Sequence, residues 1–168
     1  MENAEIMIYV ADLAAYNAGY LHGAWIDATQ DLEAIHAEVR AIFKNSPVEH
    51  DFETAIHDYE GFGNYRLGEY VGIEEAHEVA LFIEEHGDVA ITALEYSNDL
   101  EEAKNMVEDN YHGCYESEAE YAEQLYNDCY EIPEHLASYI DYERVARDLF
   151  CDGYFAVNGE DGVHVFSY

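Results

Sequence analysis

Side chains able to do chemistry are plentiful in this sequence, which carries nine histidines, 38 aspartates and glutamates and three cysteines. Their spacing decides whether they can act together. His77 and His86 stand nine residues apart, whereas two metal ligands on one helix face need the one-turn spacing of an HExxH pair. The acidic turn Asn158-Gly159-Glu160-Asp161-Gly162 lacks the alternating oxygen ligands and terminal glutamate of a calcium loop. His57 and His164 fall in strand-like segments. No GxSxG elbow, phosphate-cradling glycine loop or Cys/His zinc spacing occurs. His112 and Cys114 have the composition of a thiolate pair, but a partly buried structural thiol is the better reading. Carboxylate pairs are so frequent that general acid–base geometry arises by chance. The expectation is a protein with no catalytic chemistry, no metal and no cofactor.

The carboxylates matter instead as an aggregate. Only six Lys and Arg stand against them, giving a net charge of −32 and a pI near 4.1. Such a surface cannot hold nucleic acid, and an anionic membrane repels it. With 49% hydrophobic and 14% aromatic residues in 168, the chain has material for a packed core, unlike a disordered acidic tail. No apolar run is long enough for a membrane span. The start, Met1-Glu2-Asn3-Ala4-Glu5, is acidic, and Cys114, Cys129 and Cys151 form an odd set without CxxC spacing. Both features predict a cytoplasmic protein with reduced thiols. The charge is also evenly spread. Residues 1–60 hold 12 acids and 2 bases, 61–110 hold 13 and 2, and 111–168 hold 13 and 2, for net values of −10, −11 and −11. A tail or a metal cluster would concentrate it in one block.

The elements that must carry these acids can be read from periodicity. Segments 6–10, 21–27 and 54–60 are rich in β-branched and aromatic residues and predict short strands. A helix lies between the second and third, with Leu32, Ile35, Val39, Ile42 and Phe43 at helical spacing and Pro47 after its end. Gly61-Phe62-Gly63 predicts a boundary. Ala76, Val79, Ala80 and Ile83 then give a helix stopped by Gly87, and 90–96 reads as a further helical segment. Asp99 is placed to cap the next helix, with Ala103, Met106 and Val107 as its apolar side and Gly113 as its end. Ser117-Glu118-Ala119-Glu120 is a capping-box pattern that opens a helix with Tyr121, Ala122, Leu125 and Cys129 in a stripe. A helix over 142–150 and a hairpin of 154–157 with 163–166 close the chain. The fold class expected is α+β, in an elongated row of three small domains. These are 1–60, a three-stranded sheet with a helix, 61–108, helical, and 109–168, helices with a small sheet.

An acidic helix face is ordinarily answered by Lys or Arg one turn away. Here only Glu101–Lys104–Glu108, Glu143–Arg147 and Arg144–Asp148 have that spacing. The face with Glu74, Glu75, Glu78, Glu84, Glu85 and Asp88 has no local base, nor has the stretch from Glu116 to Glu123. A groove shaped for DNA is one target that favours such a surface. Duplex DNA carries one charge per ~1.7 Å of axis, so 38 carboxylates correspond to roughly 19 base pairs, and a two-fold dimer to roughly twice that. Two other readings compete. A halophilic protein or enzyme is acidic for solubility, and on composition alone it is the commoner case. A cation buffer would bind several divalent ions.

Local sequence separates these readings. The stretch from Ile8 through Tyr9-Val10-Ala11-Asp12-Leu13 to Leu21-His22-Gly23-Ala24-Trp25-Ile26-Asp27 resembles the start of the antirestriction protein ArdA family. So do Ala55-Ile56-His57-Asp58-Tyr59-Glu60-Gly61-Phe62 and Phe82-Ile83-Glu84-Glu85-His86-Gly87. The resemblance continues through Asp99-Leu100-Glu101-Glu102-Ala103, Tyr111-His112-Gly113-Cys114-Tyr115, Tyr139-Ile140-Asp141-Tyr142-Glu143 and Ala146-Arg147-Asp148-Leu149. It ends at Val163-His164-Val165-Phe166. The blocks lie in order and span nearly the whole chain.

The resemblance implies a DNA mimic, usually encoded on a conjugative plasmid, transposon or phage. It would occupy the DNA-binding groove of type I restriction-modification enzymes, formed by their specificity and methyltransferase subunits. It also implies an elongated row of three small α/β domains and a homodimer. The carboxylates expected to stand in for phosphates are Glu74, Glu75, Glu78, Glu84, Glu85, Asp88, Glu95, Asp99, Glu101, Glu102, Glu108, Asp109, Glu116, Glu118, Glu120, Glu123 and Asp128. A dimer of two such charged chains needs an uncharged contact, for which the aromatic segment with Tyr111, Cys114 and Tyr115 is the candidate. Packing within one chain is an equally good reading of that segment.

Overall fold

The computed structural model describes residues 5–49, 52–68 and 70–168; the acidic opening Met1-Glu2-Asn3-Ala4 lies outside them. The chain divides into two compact units, Met1–Gly87 and Asp88–Tyr168.

The first unit is built on β1 (Met7–Asp12), which pairs antiparallel with β2 (Gly23–Asp27) on one side and β3 (Thr54–Glu60) on the other. Alternation along β1 sends Ile8 and Val10 to a face where both are fully buried. Helix α2 (Leu32–Lys44) covers that face with Ile35, Val39 and Ile42. Asp31 caps it by accepting from the Glu33 amide, and Lys44 sits in its last turn, where a cation complements the helix dipole. A short helix, α1 (Leu13–Asn17), follows β1 directly and is capped by the buried Asp12. Five residues are too few to show a period, so this helix was not expected from the sequence. The Gly61-Phe62-Gly63 stretch, read from sequence as a boundary, is packed into this unit. Phe62 is buried edge-on against Tyr59, and a Cβ on Gly61, at φ +86°, would collide with Ile6. Helix α3 (Ile73–His86) completes the unit and ends at Gly87, whose φ is +65°. Its His77 Nδ1 lies 2.7 Å from the Ala28 carbonyl.

The second unit holds α4 (Asp88–Ser97), α5 (Leu100–Asp109), β4 (Tyr111–Tyr115), α6 (Glu118–Cys129), α7 (Glu134–Ala137), α8 (Tyr142–Asp152), β5 (Tyr154–Asn158) and β6 (Val163–Ser167). Its sheet has the order β4-β6-β5, all antiparallel. The residues expected to form a central domain, 61–108, are therefore divided between the two units at Gly87 and Asp88. The β5–β6 hairpin, the Asp99 cap (2.9 Å from the Glu102 amide) and the capping box of Ser117 and Glu120 stand where the sequence placed them. The four-residue α7 was not expected from the sequence, and one expected element differs. Helix α5 does not run on to Gly113 but ends at Asp109, and Tyr111–Tyr115 is a strand. Gly113, at φ +123°, sits where the register with β6 shifts, so it marks a bulge and not a helix stop.

Candidate functional site

Acids and bases are divided almost equally between the units: residues 1–87 hold 18 and 3, residues 88–168 hold 20 and 3. The helices decide which acids reach solvent. On α3 the apolar positions Ile73, Ala76, Val79, Ala80 and Ile83 turn inward. Glu74, Glu75, Glu78, Glu84 and Glu85 are left exposed. Glu74, Glu78 and Glu85 lie on one stripe, which at ~1.5 Å of rise per residue is ~16 Å long. Two of the stripe's carboxylates have histidine neighbours: His36 Nε2 is 3.3 Å from Glu74, and His86 Nε2 is 4.0 Å from Glu85.

In the second unit, burial of Ala103, Met106 and Val107 turns Glu101, Glu102, Glu108 and Asp109 of α5 outward. Burial of Tyr121 and Ala122 does the same for Glu118, Glu120, Glu123 and Asp128 of α6, with Glu116 exposed just before it. Some of these groups also hold the fold. Asp99 caps α5, the Glu120 carboxylate accepts from the Glu116 amide at 2.6 Å, and Glu101 pairs with Lys104 at 3.1 Å. Of the carboxylates expected to mimic phosphates, all but Asp88 and Glu95 are exposed.

Asp88 is turned onto its own chain. Its Oδ2 is 2.8 Å from His164 Nε2, and its two oxygens accept from the Glu160 and Asp161 amides at 3.3 and 3.2 Å. A carboxylate can only accept, so His164 carries its proton on Nε2, leaving Nδ1 to accept from the Tyr111 hydroxyl at 2.9 Å in the neutral ring. Burial raises the Asp88 pKa, but the hydrogen bonds from His164, Asp161 and Glu160 outweigh it and hold the carboxyl below its ordinary value of 3.8. The chain thus ties the hairpin turn to the start of α4, through residues 76 positions apart.

The segment Tyr111, Cys114 and Tyr115 forms part of the sheet around this network. Tyr111 packs on Phe166 and His164, and burial, followed by the charges of neighbouring acidic groups, pushes its phenol up to about 12. Tyr115 donates to the His112 carbonyl, and its ring meets Tyr121 edge-on. Cys114 is exposed, yet burial of its sulfur and the carboxylates of Asp161 and Asp88 raise its pKa, which keeps it a thiol at neutral pH.

Next to this segment, the buried Tyr121 hydroxyl has no hydrogen-bond partner. Burial, and then the neighbouring Tyr154 phenol, raise its pKa. Tyr121→Phe is therefore expected to leave stability unchanged or to raise it by up to about 1 kcal/mol. Urea denaturation checks this, and a loss of more than that amount would show the hydroxyl to be satisfied.

Among the described residues no group of three or more His, Cys, Asp or Glu is arranged to hold a metal. A shallow hollow of about 300 Å³ in the first unit is lined by His22, Gly23, Ala24, Glu38, Ala41, Ile42 and Asn45. His22 there is already tied to the Ile42 carbonyl at 2.8 Å, and Glu38 accepts from Gln30. No described helix is long and apolar enough to cross a membrane. One acidic group was missed by sequence reasoning. Strand register sets Asp27, Asp58 and Glu60 on one face of the first sheet, a grouping visible only once the pairing is known.

Fold and surface together define an α+β protein with two small three-stranded antiparallel sheets and exposed carboxylates on the helices of both units. The sequence matches the family model described as Antirestriction protein (ArdA) over residues 8–164, and the chain belongs to that family of antirestriction proteins. No curated protein matches it significantly.

Proposed function

We propose that this protein is a DNA mimic that occupies the DNA-binding groove of type I restriction-modification enzymes, formed by their specificity and methyltransferase subunits. It inhibits them by competition, without chemistry. The observation that carries this reading is the set of exposed carboxylates on α3, α5 and α6, which only three bases per unit are available to answer. These carboxylates stand in for phosphates against Lys and Arg of the groove. Association then displaces the ions held around those bases, so affinity falls steeply with salt. The long-range field also speeds capture of the enzyme.

The protein works in the cytoplasm of a bacterium that has received a mobile element, and it works as a homodimer. Cys114, with Tyr111 and Tyr115 beside it, is our candidate for the dimer contact. Since Tyr111 is bound into its own sheet, Cys114→Glu is the cleaner probe, and it is expected to halve the mass seen by light scattering while the fold is kept. An unchanged dimer mass removes this contact.

The function is tested by adding the purified protein to a type I enzyme at ~50 and ~200 mM salt and measuring DNA binding and cleavage. With six or more groove contacts, inhibition should weaken by on the order of 10³-fold over that range. A protein that unfolds at low salt and leaves the enzyme untouched would instead carry its charge for solubility in brine.

A further inference from the structure

The face of the first sheet turned away from α2 combines two features that the acidic helices lack: an open aromatic pair and a carboxylate rim. Residues directly opposite one another across antiparallel strands point to the same side. Tyr9 is opposite both Trp25 and Asp58, and Met7 is opposite both Asp27 and Glu60. All six side chains therefore share one face. Ile8 and Ile26, one residue along, point to the other face and are fully buried.

The aromatic pair is held in a defined arrangement. Tyr9 lies over Gly23, where a Cβ would come within 2.9 Å of its ring and hydroxyl. Trp25 meets Tyr9 edge-on, with ring centroids 5.6 Å apart and planes at 61°. Trp25 nevertheless stays 40% exposed, and Asp27, Asp58 and Glu60 are exposed around it. Asp27 and Asp58 each have one oxygen engaged locally, by Thr29 and by the Tyr59 amide. None of the six Lys and Arg of the chain lies on these three strands.

We infer that this sheet face is a docking site for an arginine side chain of the protein that the acidic surface captures. The inference rests on the function proposed above. A guanidinium stacks on an aromatic face and at the same time offers forked N–H donors to carboxylates, which a lysine ammonium cannot do together. Trp25 and Tyr9 supply the ring faces, and Asp27, Asp58 and Glu60 the acceptors. A second copy of this chain does not fit, since it would set the same three carboxylates against themselves. The site differs in kind from the helix faces. Many carboxylates share the load there, whereas a central aromatic residue that becomes buried on binding concentrates affinity in one position.

The single tryptophan makes the inference directly testable. Protein labelled with 5-fluorotryptophan gives one fluorine resonance, from Trp25. Titration with the specificity–methyltransferase core of a type I enzyme should shift or broaden that line in proportion to complex formed. Trp25→Ala should weaken binding about tenfold by calorimetry, and Trp25→Phe should restore most of the loss. A fluorine line that stays in place at saturation, while DNA binding by the enzyme is blocked, overturns the inference and leaves the proposed function standing. A line that moves with the protein's own concentration alone overturns it in favour of self-association. Absence of any complex removes the proposed function, and the docking site with it.

Discussion

Replacing Glu74, Glu75, Glu78, Glu84, Glu85 and Glu108 together by glutamine is expected to lower affinity for the type I enzyme by on the order of 10²–10³-fold at moderate salt, because six phosphate-equivalent contacts are lost. The same variant should show a salt dependence shallower by roughly five in its logarithmic slope. A single change such as Glu75→Gln should alter inhibition less than about threefold, since exposed ion pairs are each worth ~0–1 kcal/mol. The fold should survive. All six side chains are exposed, and Glu108 lies opposite the buried Ala103, Met106 and Val107 of α5. Removing six like charges from a chain at −32 also relieves self-repulsion. Titration of DNA cleavage at several salt concentrations, beside a thermal melt, measures both effects. If one of the six single variants alone abolished inhibition, the distributed mechanism would be replaced by a localised site.

Asp88→Ala is expected to destabilise the second unit by about 2–4 kcal/mol, because it leaves the buried His164 Nε2–H and two turn amides without their acceptor. Urea denaturation followed through near-ultraviolet dichroism of the tyrosines around β4 and β6 measures this loss. The effect also has a sign in pH. The folded-state pKa of Asp88 lies below its unfolded value. Its contribution is therefore complete above pH ~4 and is lost as pH falls through the folded value. The wild type should lose stability in that acid window, and Asp88→Ala should lose less, having already forfeited the term. An Asp88→Ala protein as stable as the wild type at neutral pH would show that the turn is held by other contacts. Gly159 points the same way, since a Cβ there would run into the Asp88 carboxylate and the His164 ring.

Most elements were legible because their signals are local. Helix α2 shows its buried stripe at Ile35, Val39 and Ile42, and Asp99 and Ser117 announce the helices they cap through a neighbouring amide three residues on. The β5–β6 hairpin is likewise a matter of one acidic glycine turn. Strand β4 was not legible, for a physical reason. Its partner β6 begins at Val163, some fifty residues on, and the bulge at Gly113 breaks the two-residue alternation that identifies a strand. Tyr111-His112-Gly113-Cys114-Tyr115 then reads as an aromatic patch after a helix, when its Tyr111 hydroxyl and ring are committed to His164 and Phe166.

Charge and its even division are properties of composition, and family membership rests on short blocks in order, so the sequence alone determined both. Which carboxylates are presented depends on packing. Fourth-neighbour periodicity identifies the exposed acids of α3, because a helix turns all its residues by a fixed angle. It cannot reveal that Asp88, the next acid along, is turned inward by a histidine 76 residues away. Nor can it gather Trp25, Tyr9, Asp27, Asp58 and Glu60 onto one face, because that grouping comes from strand register, which is set between segments and not within them.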